Sequence, residues 1–360
     1  MSPLSALRLS RIPASKALQA WNAADELAIN RLAETTATDR LLLVNDSFGA
    51  LALALGDAQT DWWSDSAMAS TALANNARAN GLPLPRRIEH PEQLRDDYKR
   101  IVIQVPKSLD LFRWQLGVLA TRLAEDGEVY ALGMVKHLST GHQVCMTDFF
   151  QQCDPGHAVK KARCVRLSSP RQVDADNQLK TFSTPTGLTL QHEPGCFSSN
   201  RLDPGARVLL ETLSQWPDAD QLLDLGCGNG VLALSYLQSH PEAQATLVDE
   251  SRQAVHSAAR SAQANGLENR VRCLHHHGIE GLDLRPIPLI LCNPPFHQAN
   301  TLTEDIALHL FREARQALTP KGELWVVANR HLPYFHPLKR LFSQVDCPSS
   351  HPKFVVYRCY

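Results

Sequence analysis

A short apolar segment, Gln221-Leu222-Leu223-Asp224-Leu225, runs straight into three alternate glycines, Gly226, Gly228 and Gly230, and then into an apolar stretch from Val231 to His240. Few folds accommodate that order. A glycine-rich turn between a buried strand and a helix is the ligand-binding corner of an open, mostly parallel α/β sheet. Glycine suits the corner because the backbone must turn tightly and approach a ligand with no Cβ in the way. The next strand is predicted over residues 245–249, and Asp249 lies 25 positions after Asp224. A carboxylate roughly 20 residues past such glycines can accept both hydroxyl hydrogens of a ribose. Asp224 stands near the end of the first strand, and no Lys-Ser or Lys-Thr pair follows the glycines. A carboxylate there repels a pyrophosphate and suits a cationic nucleoside. The glycines taken alone fit a dinucleotide-binding turn as well.

A second motif narrows the choice. The strand predicted over residues 288–292 delivers Asn293-Pro294-Pro295-Phe296 to a carboxyl end of the same sheet, beside the glycine-rich corner. The amine of guanine or adenine is a poor nucleophile because its lone pair is delocalised into the ring. The Asn293 side-chain carbonyl and the Pro294 backbone carbonyl can accept both amine hydrogens and turn the lone pair outward. Positioning and fixed dipoles then do most of the catalytic work. Consecutive prolines stiffen the loop, and Phe296 offers a face for base stacking. Together the motifs predict an S-adenosylmethionine-dependent methyltransferase that modifies an exocyclic nitrogen. Asp224, Gly226, Gly228, Asp249 and Asn293 are expected at the cofactor.

The amino-terminal half reads as a worn copy of the carboxyl-terminal half. The segment 42–53 aligns with 223–234, Ala79-Asn80-Gly81-Leu82 with Ala264-Asn265-Gly266-Leu267, 103–108 with 291–296, and Gly127-Glu128 with Gly322-Glu323. The offsets grow from 181 through 185 and 188 to 195, as small insertions require. Four matches in one order point to duplication. In the first copy Asn45 and Ser47 replace two glycines, and Val105 aligns with Asn293. That copy is expected to keep the fold without the reaction.

Composition bounds the rest. At 360 residues the chain accommodates two domains of ordinary size. It holds no apolar run of 18 residues, and residues 1–16 contain no apolar core of a secretory signal. Nine scattered cysteines without a Cys-x-x-Cys pair suggest reduced thiols in the cytoplasm and no zinc site. Neighbouring side chains on a strand alternate faces, so His275-His276-His277 is not expected to converge on a metal. The net charge is near neutral, yet Lys160, Lys161, Arg163, Arg166 and Arg171 form a run without an acid, and Lys107 belongs to a second, mixed stretch. Such residues suit phosphate contacts.

Domain boundaries are expected near Ser168–Gly195, with 1–170 as the degenerate domain, 171–194 as a linker and hairpin, and 195–360 as the catalytic domain. The fold class expected is α/β, with two tandem Rossmann-like class I methyltransferase domains. Several motifs resemble one bacterial family: Asn45-Asp46-Ser47-Phe48-Gly49, Val105-Pro106-Lys107, Lys160-Lys161-Ala162-Arg163, Phe197-Ser198, Leu202-Asp203-Pro204-Gly205-Ala206-Arg207, Asp224 to Gly230, Val248-Asp249-Glu250-Ser251, Cys292 to His297, and Ala328-Asn329-Arg330-His331-Leu332. Over essentially its full length the chain is similar to the ribosomal RNA guanine-N2 methyltransferases built from two methyltransferase-like domains. The large-subunit type is nearer than the small-subunit type. The resemblance implies S-adenosylmethionine as cofactor, one guanine N2 of 23S ribosomal RNA as target, no DNA and no membrane. It also implies RNA recognition by the first domain, through Lys160, Lys161 and Arg163. At the cofactor it adds Phe197, Asn229 and His277, although His276-His277 stands where the family is expected to carry Asn-Asn. Methylation of a protein glutamine amide, or RNA binding without catalysis, stays open on the motifs alone.

Overall fold

The computed structural model describes residues 3–15, 18–32, 40–57, 59–172, 179–198, 201–294 and 301–360. The chain divides into two units, Met1–Gln178 and Leu179–Tyr360.

The first unit contains strands β1 (Leu41–Val44), β2 (Asp61–Trp63), β3 (Arg86–Ile88), β4 (Tyr98–Gln104), β5 (Leu123–Met134), β6 (Phe150–Asp154) and β7 (Ala162–Pro170). Helices α1 (Ala23–Leu32), α2 (Ala50–Leu55), α3 (Ala67–Asn80), α4 (Leu109–Ala120) and α5 (Thr140–Phe149) join them. The sheet order is β3-β2-β1-β4-β5-β7-β6, with β7 antiparallel to both neighbours and the other pairs parallel. Burial on both faces demands apolar residues at every position of the central strand. Accordingly, Leu42 and Val44 pack with Phe112, Leu116 and Phe149, while Leu43 packs on the opposite face with Ala28, Leu51 and Leu73.

The second unit opens with a hairpin, β8 (Lys180–Ser183) and β9 (Thr189–His192). It continues through α6 (Pro204–Leu210), β10 (Gln221–Leu225), α7 (Val231–Ser239), β11 (Gln244–Asp249), α8 (Arg252–Ala264), β12 (Val271–His275) and β13 (Ile287–Cys292). It ends with α9 (Thr301–Ala317), β14 (Leu318–Asn329), α10 (Phe335–Leu341), β15 (Val345–Ser350) and β16 (Phe354–Cys359). Its sheet order, β12-β11-β10-β13-β14-β16-β15, repeats that of the first unit strand for strand. The duplication expected from the sequence is thus present in the topology.

The hairpin packs on α8. Along its edge and just beyond, the N–H groups of Thr189, Gln191 and Glu193 donate to Asn265 Oδ1 (3.0 Å), Ser261 Oγ (2.9 Å) and Ser257 Oγ (2.9 Å). Two residues of strand span nearly the same length as one helical turn, so a period of two meets a period of four.

Strand register corrects one alignment. Val44 and Leu225 are equivalent, because each lies five residues before a glycine in the left-handed conformation that starts a helix, Gly49 (φ 76°) and Gly230 (φ 80°). Val44 pairs with Ile103, whereas Leu225 pairs with Cys292. On the other side Arg100 pairs with Glu128 and Leu289 with Glu323. Both neighbours therefore put Gln104, not Val105, at the position of Asn293. Strands apolar on both faces carry no alternation, so their sequence does not register a one-residue slip.

Candidate functional site

The site is built where the sheet of the second unit switches direction, at the carboxyl ends of β10, β11 and β13. Asp224 is fully buried on β10. Its Oδ2 accepts the N–H of Ala233 at 3.1 Å, and its Oδ1 has no partner among the described residues. Burial pushes its carboxyl up to about 8, and the charge of nearby Asp249 adds to the rise. Asp249 ends β11 and accepts the N–H of Gly228 (2.9 Å) on one oxygen and that of Ser251 (2.9 Å) on the other. The turn is also pinned to β11 by Gly226 and Cys227, whose N–H groups reach the Val248 carbonyl at 2.8 and 3.1 Å.

The three glycines serve two purposes. A Cβ on Gly230 would lie 2.9 Å from Leu247 and 3.3 Å from Ala258, so this glycine lets α7 pack. A Cβ on Gly226 would meet only the Asn293 carbonyl at 3.7 Å, and one on Gly228 nothing within 4 Å. Those two, at φ 79° and 53°, face open space that a ligand can fill. An orphaned buried carboxylate oxygen, a second carboxylate and a glycine cradle fit the cationic nucleoside S-adenosylmethionine. Cys227 and Cys292 are buried beside them with thiols pushed far up by burial, which makes them packing residues and not nucleophiles.

Asn293 follows β13 directly. Its Nδ2 donates to Asp203 Oδ2 at 3.1 Å, while its buried Oδ1 has no partner among the described residues. Pro294 is buried next to it, and Pro295 and Phe296 lie outside the described residues. Asp203 was not singled out from the sequence as a functional residue. Its signal there is local, an Asp-Pro-Gly start that caps α6.

The remaining expected cofactor residues divide. His276 donates its backbone N–H to the Asp249 carbonyl (2.9 Å), which puts His277 beside the end of β11. His277 stacks on His276 with ring centroids 4.9 Å apart, and its Nδ1 is buried without a partner among the described residues. Its pKa is lowered by burial and then by His276 and His309, so the ring is neutral. His275 and His276 bond the carbonyls of Glu250 and Gly278, so the three histidines do not converge. Phe197 is half exposed ahead of α6. Asn229 lies in the glycine-rich turn with its side chain engaged within the protein. Its Nδ2 meets His192 Nε2 at 2.7 Å and its Oδ1 accepts the Val231 N–H at 3.1 Å. Both ends of that side chain serve the fold, joining the hairpin to the turn.

In the first unit the same corner is filled from within. Asn45 takes the left-handed conformation (φ 61°) that Gly226 takes in the second unit, and its amide pairs reciprocally with Gln115 at 2.8 and 3.0 Å. Gln104 accepts the N–H and hydroxyl of Ser47 (3.2 and 2.9 Å) and donates to Asp25 (2.6 Å). Asp46, fully buried, bonds the Ala52 N–H at 2.9 Å.

The basic run of the first unit is not one surface. Lys160 is ion-paired with Glu26 (2.9 Å), and Arg163 lies half-buried on β7 with an Nε that has no partner among the described residues. Lys160 and Lys161 both have positive φ, 49° and 64°, in a two-residue turn closed by Val159 and Ala162. Glycine or asparagine normally fills such positions, so this turn holds two exposed lysines at a cost in strain. Lys107, Lys136 and His137 gather beside it, since the Val135 N–H donates to the Lys161 carbonyl (2.9 Å) and the Val105 N–H to Leu132 at the end of β5 (2.9 Å). Burial and then Lys136 lower the pKa of Lys107, and the same two lysines follow burial in lowering His137. Lys107, Lys136 and Lys161 are exposed and have no ion-pair partner among the described residues. The mixed-stretch residue Lys107 is thus part of a cluster that linear sequence separates.

A doubly wound sheet, a glycine cradle facing two carboxylates, and an Asn-Pro loop at the adjoining strand end define a class I S-adenosylmethionine-dependent methyltransferase domain, here joined to a second domain of like topology. Residues 187–358 match the family described as Methyltransferase small domain, and residues 1–172 match the RLMG N-terminal domain. The chain belongs to the ribosomal RNA large subunit methyltransferase G family. It is 39 % identical to the protein of that name from Ectopseudomonas mendocina, over 99 % of this chain and 98 % of the relative. It is 36 % identical to that from Photobacterium profundum, over 98 % and 96 %. Among solved structures, the T. thermophilus 16S rRNA N2 G1207 methyltransferase in complex with AdoMet and guanosine is similar, with a TM-score of 0.76, 22 % identity, and coverage of 92 % of this chain and 91 % of that one. That likeness extends the shared fold to both units.

Proposed function

We propose that the chain methylates the exocyclic N2 of one guanine in 23S ribosomal RNA, with cofactor and chemistry in residues 195–360 and RNA affinity in residues 1–170. Residues 171–194 would serve as linker and hairpin, with the hairpin β8–β9 bracing the catalytic part. The observation that carries this reading is the Asn293 carbonyl oxygen, buried, unclaimed among the described residues, and aimed by Asp203 from the strand end beside the glycine cradle. The nearly full-length relatives named for the large subunit favour 23S RNA over a small-subunit target. The place of work that follows is the cytoplasm, where ribosomal RNA is found. Among the described residues no helix is long and apolar enough to cross a membrane.

Asp249, at the end of β11 beside the glycine turn, would hold the ribose hydroxyls, because a carboxylate can accept both of their hydrogens. Gly226, Gly228 and the Asn229 backbone would line the methionine side, near Asp224. A neutral His277 offers the adenine edge one donor and one acceptor, and Phe197 offers it a face. Bound there, S-adenosylmethionine supplies a methyl group activated by a positive sulfur. Asn293 Oδ1 and the Pro294 carbonyl accept the two hydrogens of the guanine amine and expose its lone pair. Pro295 stiffens the loop, and Phe296 stacks on the base. In the first unit, Lys160, Lys161 and Arg163 together with Lys107 and Lys136 would track the RNA backbone.

Single-turnover methylation with saturating RNA tests the reading. Asn293→Ala is expected to slow the step by about 10²–10³, the scale for removing one preorganised polar group, with little change in cofactor affinity. Phe296→Ala is expected to weaken RNA binding by roughly 1–3 kcal/mol, the worth of one stacked base. Wild-type turnover in Asn293→Ala would mean that the loop is only a structural turn.

A further inference from the structure

We propose that Asp203 is a positioning residue for methyl transfer: its carboxylate fixes the amide of Asn293 so that Oδ1, and not Nδ2, faces the amine. The inference rests on the role proposed above for Asn293.

Asp203 is buried, with 7 % of its surface exposed, and one oxygen serves two donors. Oδ2 accepts the Ala206 N–H at 2.8 Å, which caps α6, and the Asn293 Nδ2–H at 3.1 Å. Pro204 at the first helical position and the extended ψ of 132° at Asp203 set where that carboxylate stands. An ionised carboxylate only accepts hydrogens. Turning the Asn293 amide end over end would press its oxygen against Asp203 and offer the amine a donor where an acceptor is needed. Without the carboxylate nothing else described in the site distinguishes the two orientations. The charge-assisted bond also polarises the amide and makes its oxygen a stronger acceptor.

The first unit supplies an internal comparison. Gln104 stands at the position of Asn293 in strand register and likewise donates its amide N–H to a buried carboxylate, Asp25, at 2.6 Å. There the amide oxygen is consumed by Ser47. An amide–carboxylate pair is present in both copies, with Asp203 capping α6 and Asp25 within the first turn of α1. Only the second copy leaves the oxygen for a substrate.

Capping and positioning separate by substitution. Serine is a good N-cap but too short to reach Asn293, so Asp203→Ser retains α6 and gives up the bond to the amide. Asparagine retains the single oxygen that serves both donors. In single-turnover assays with saturating RNA, Asp203→Ser is expected to slow methylation by about tenfold to a hundredfold, the scale of a misplaced reacting group. Cofactor affinity and melting temperature should stay near wild type, and Asp203→Asn should recover most of the rate. The double variant Asp203→Ser/Asn293→Ala should be no slower than Asn293→Ala alone. An unimpaired Asp203→Ser beside an impaired Asn293→Ala overturns this inference alone, as do additive losses in the double variant. An unimpaired Asn293→Ala overturns the amine-holding role itself, and the positioning role with it.

Discussion

Gly228 donates its backbone N–H to Oδ2 of Asp249 at 2.9 Å, so one carboxylate ties the tip of the glycine-rich turn to the end of β11. Its other oxygen holds the start of α8 through Ser251. Asp249→Ala removes both tethers as well as the acceptor proposed for the ribose. Hydrogen bonds to a charged group contribute about 1.5–3 kcal/mol each, so calorimetric titration with S-adenosylmethionine should show binding abolished or weakened by orders of magnitude. Unchanged affinity would remove Asp249 from the site.

One cofactor per chain is the expected stoichiometry. In the first unit Ser47 and Gln104 bond across the corner that stays open around Gly228 in the second. The same titration should give one site, and Asp46→Asn should leave its affinity unchanged. A stoichiometry of two would show that the first corner opens.

Stability without cofactor should fall as pH rises. Burial raises Asp46 to about 7 and Asp224 to about 8, against roughly 3.9 for a free aspartate. Between about pH 4 and those values the folded state retains protons that the unfolded chain has released. Stability is therefore greatest at the acid end of this window and is lost toward its alkaline end. Asp46→Asn and Asp224→Asn remove the charge and keep an oxygen for the N–H groups of Ala52 and Ala233. Each should raise the melting temperature by a few degrees at pH 8, at about 2–4 °C per kcal/mol, and by less at pH 5. Equal gains at both values would show that burial of charge is not the cause.

RNA affinity should depend more on the cluster formed by tertiary structure than on the rest of the linear run. Lys107, Lys136 and Lys161 are the exposed lysines at one edge of the first unit with no ion-pair partner among the described residues, whereas Lys160 is already paired with Glu26. The triple alanine variant should weaken RNA binding and flatten its salt dependence by about 0.7–0.9 in slope for each phosphate no longer neutralised. Lys160→Ala alone should cost less. A larger loss from Lys160→Ala than from the triple variant would restore the linear run as the binding surface.

The sequence by itself determined the architecture and the chemistry class. Gly226, Gly228 and Gly230 after an apolar strand, Asp249 at the next strand end, and Asn293-Pro294 after another specify the corner, because backbone conformation and strand burial are local requirements written in local residue choice. The duplication was legible for the same reason. Tertiary structure alone decided three other matters. It put Gln104 opposite Asn293, since strands apolar on both faces leave register to their neighbours. It turned the Asn229 side chain toward His192, a residue 37 positions away that the folding of the hairpin onto α8 brings to it. And it set Asp203 against Asn293 across 90 residues of chain, so that the direction of one amide, on which the proposed chemistry depends, is set by a long-range contact that no local pattern encodes.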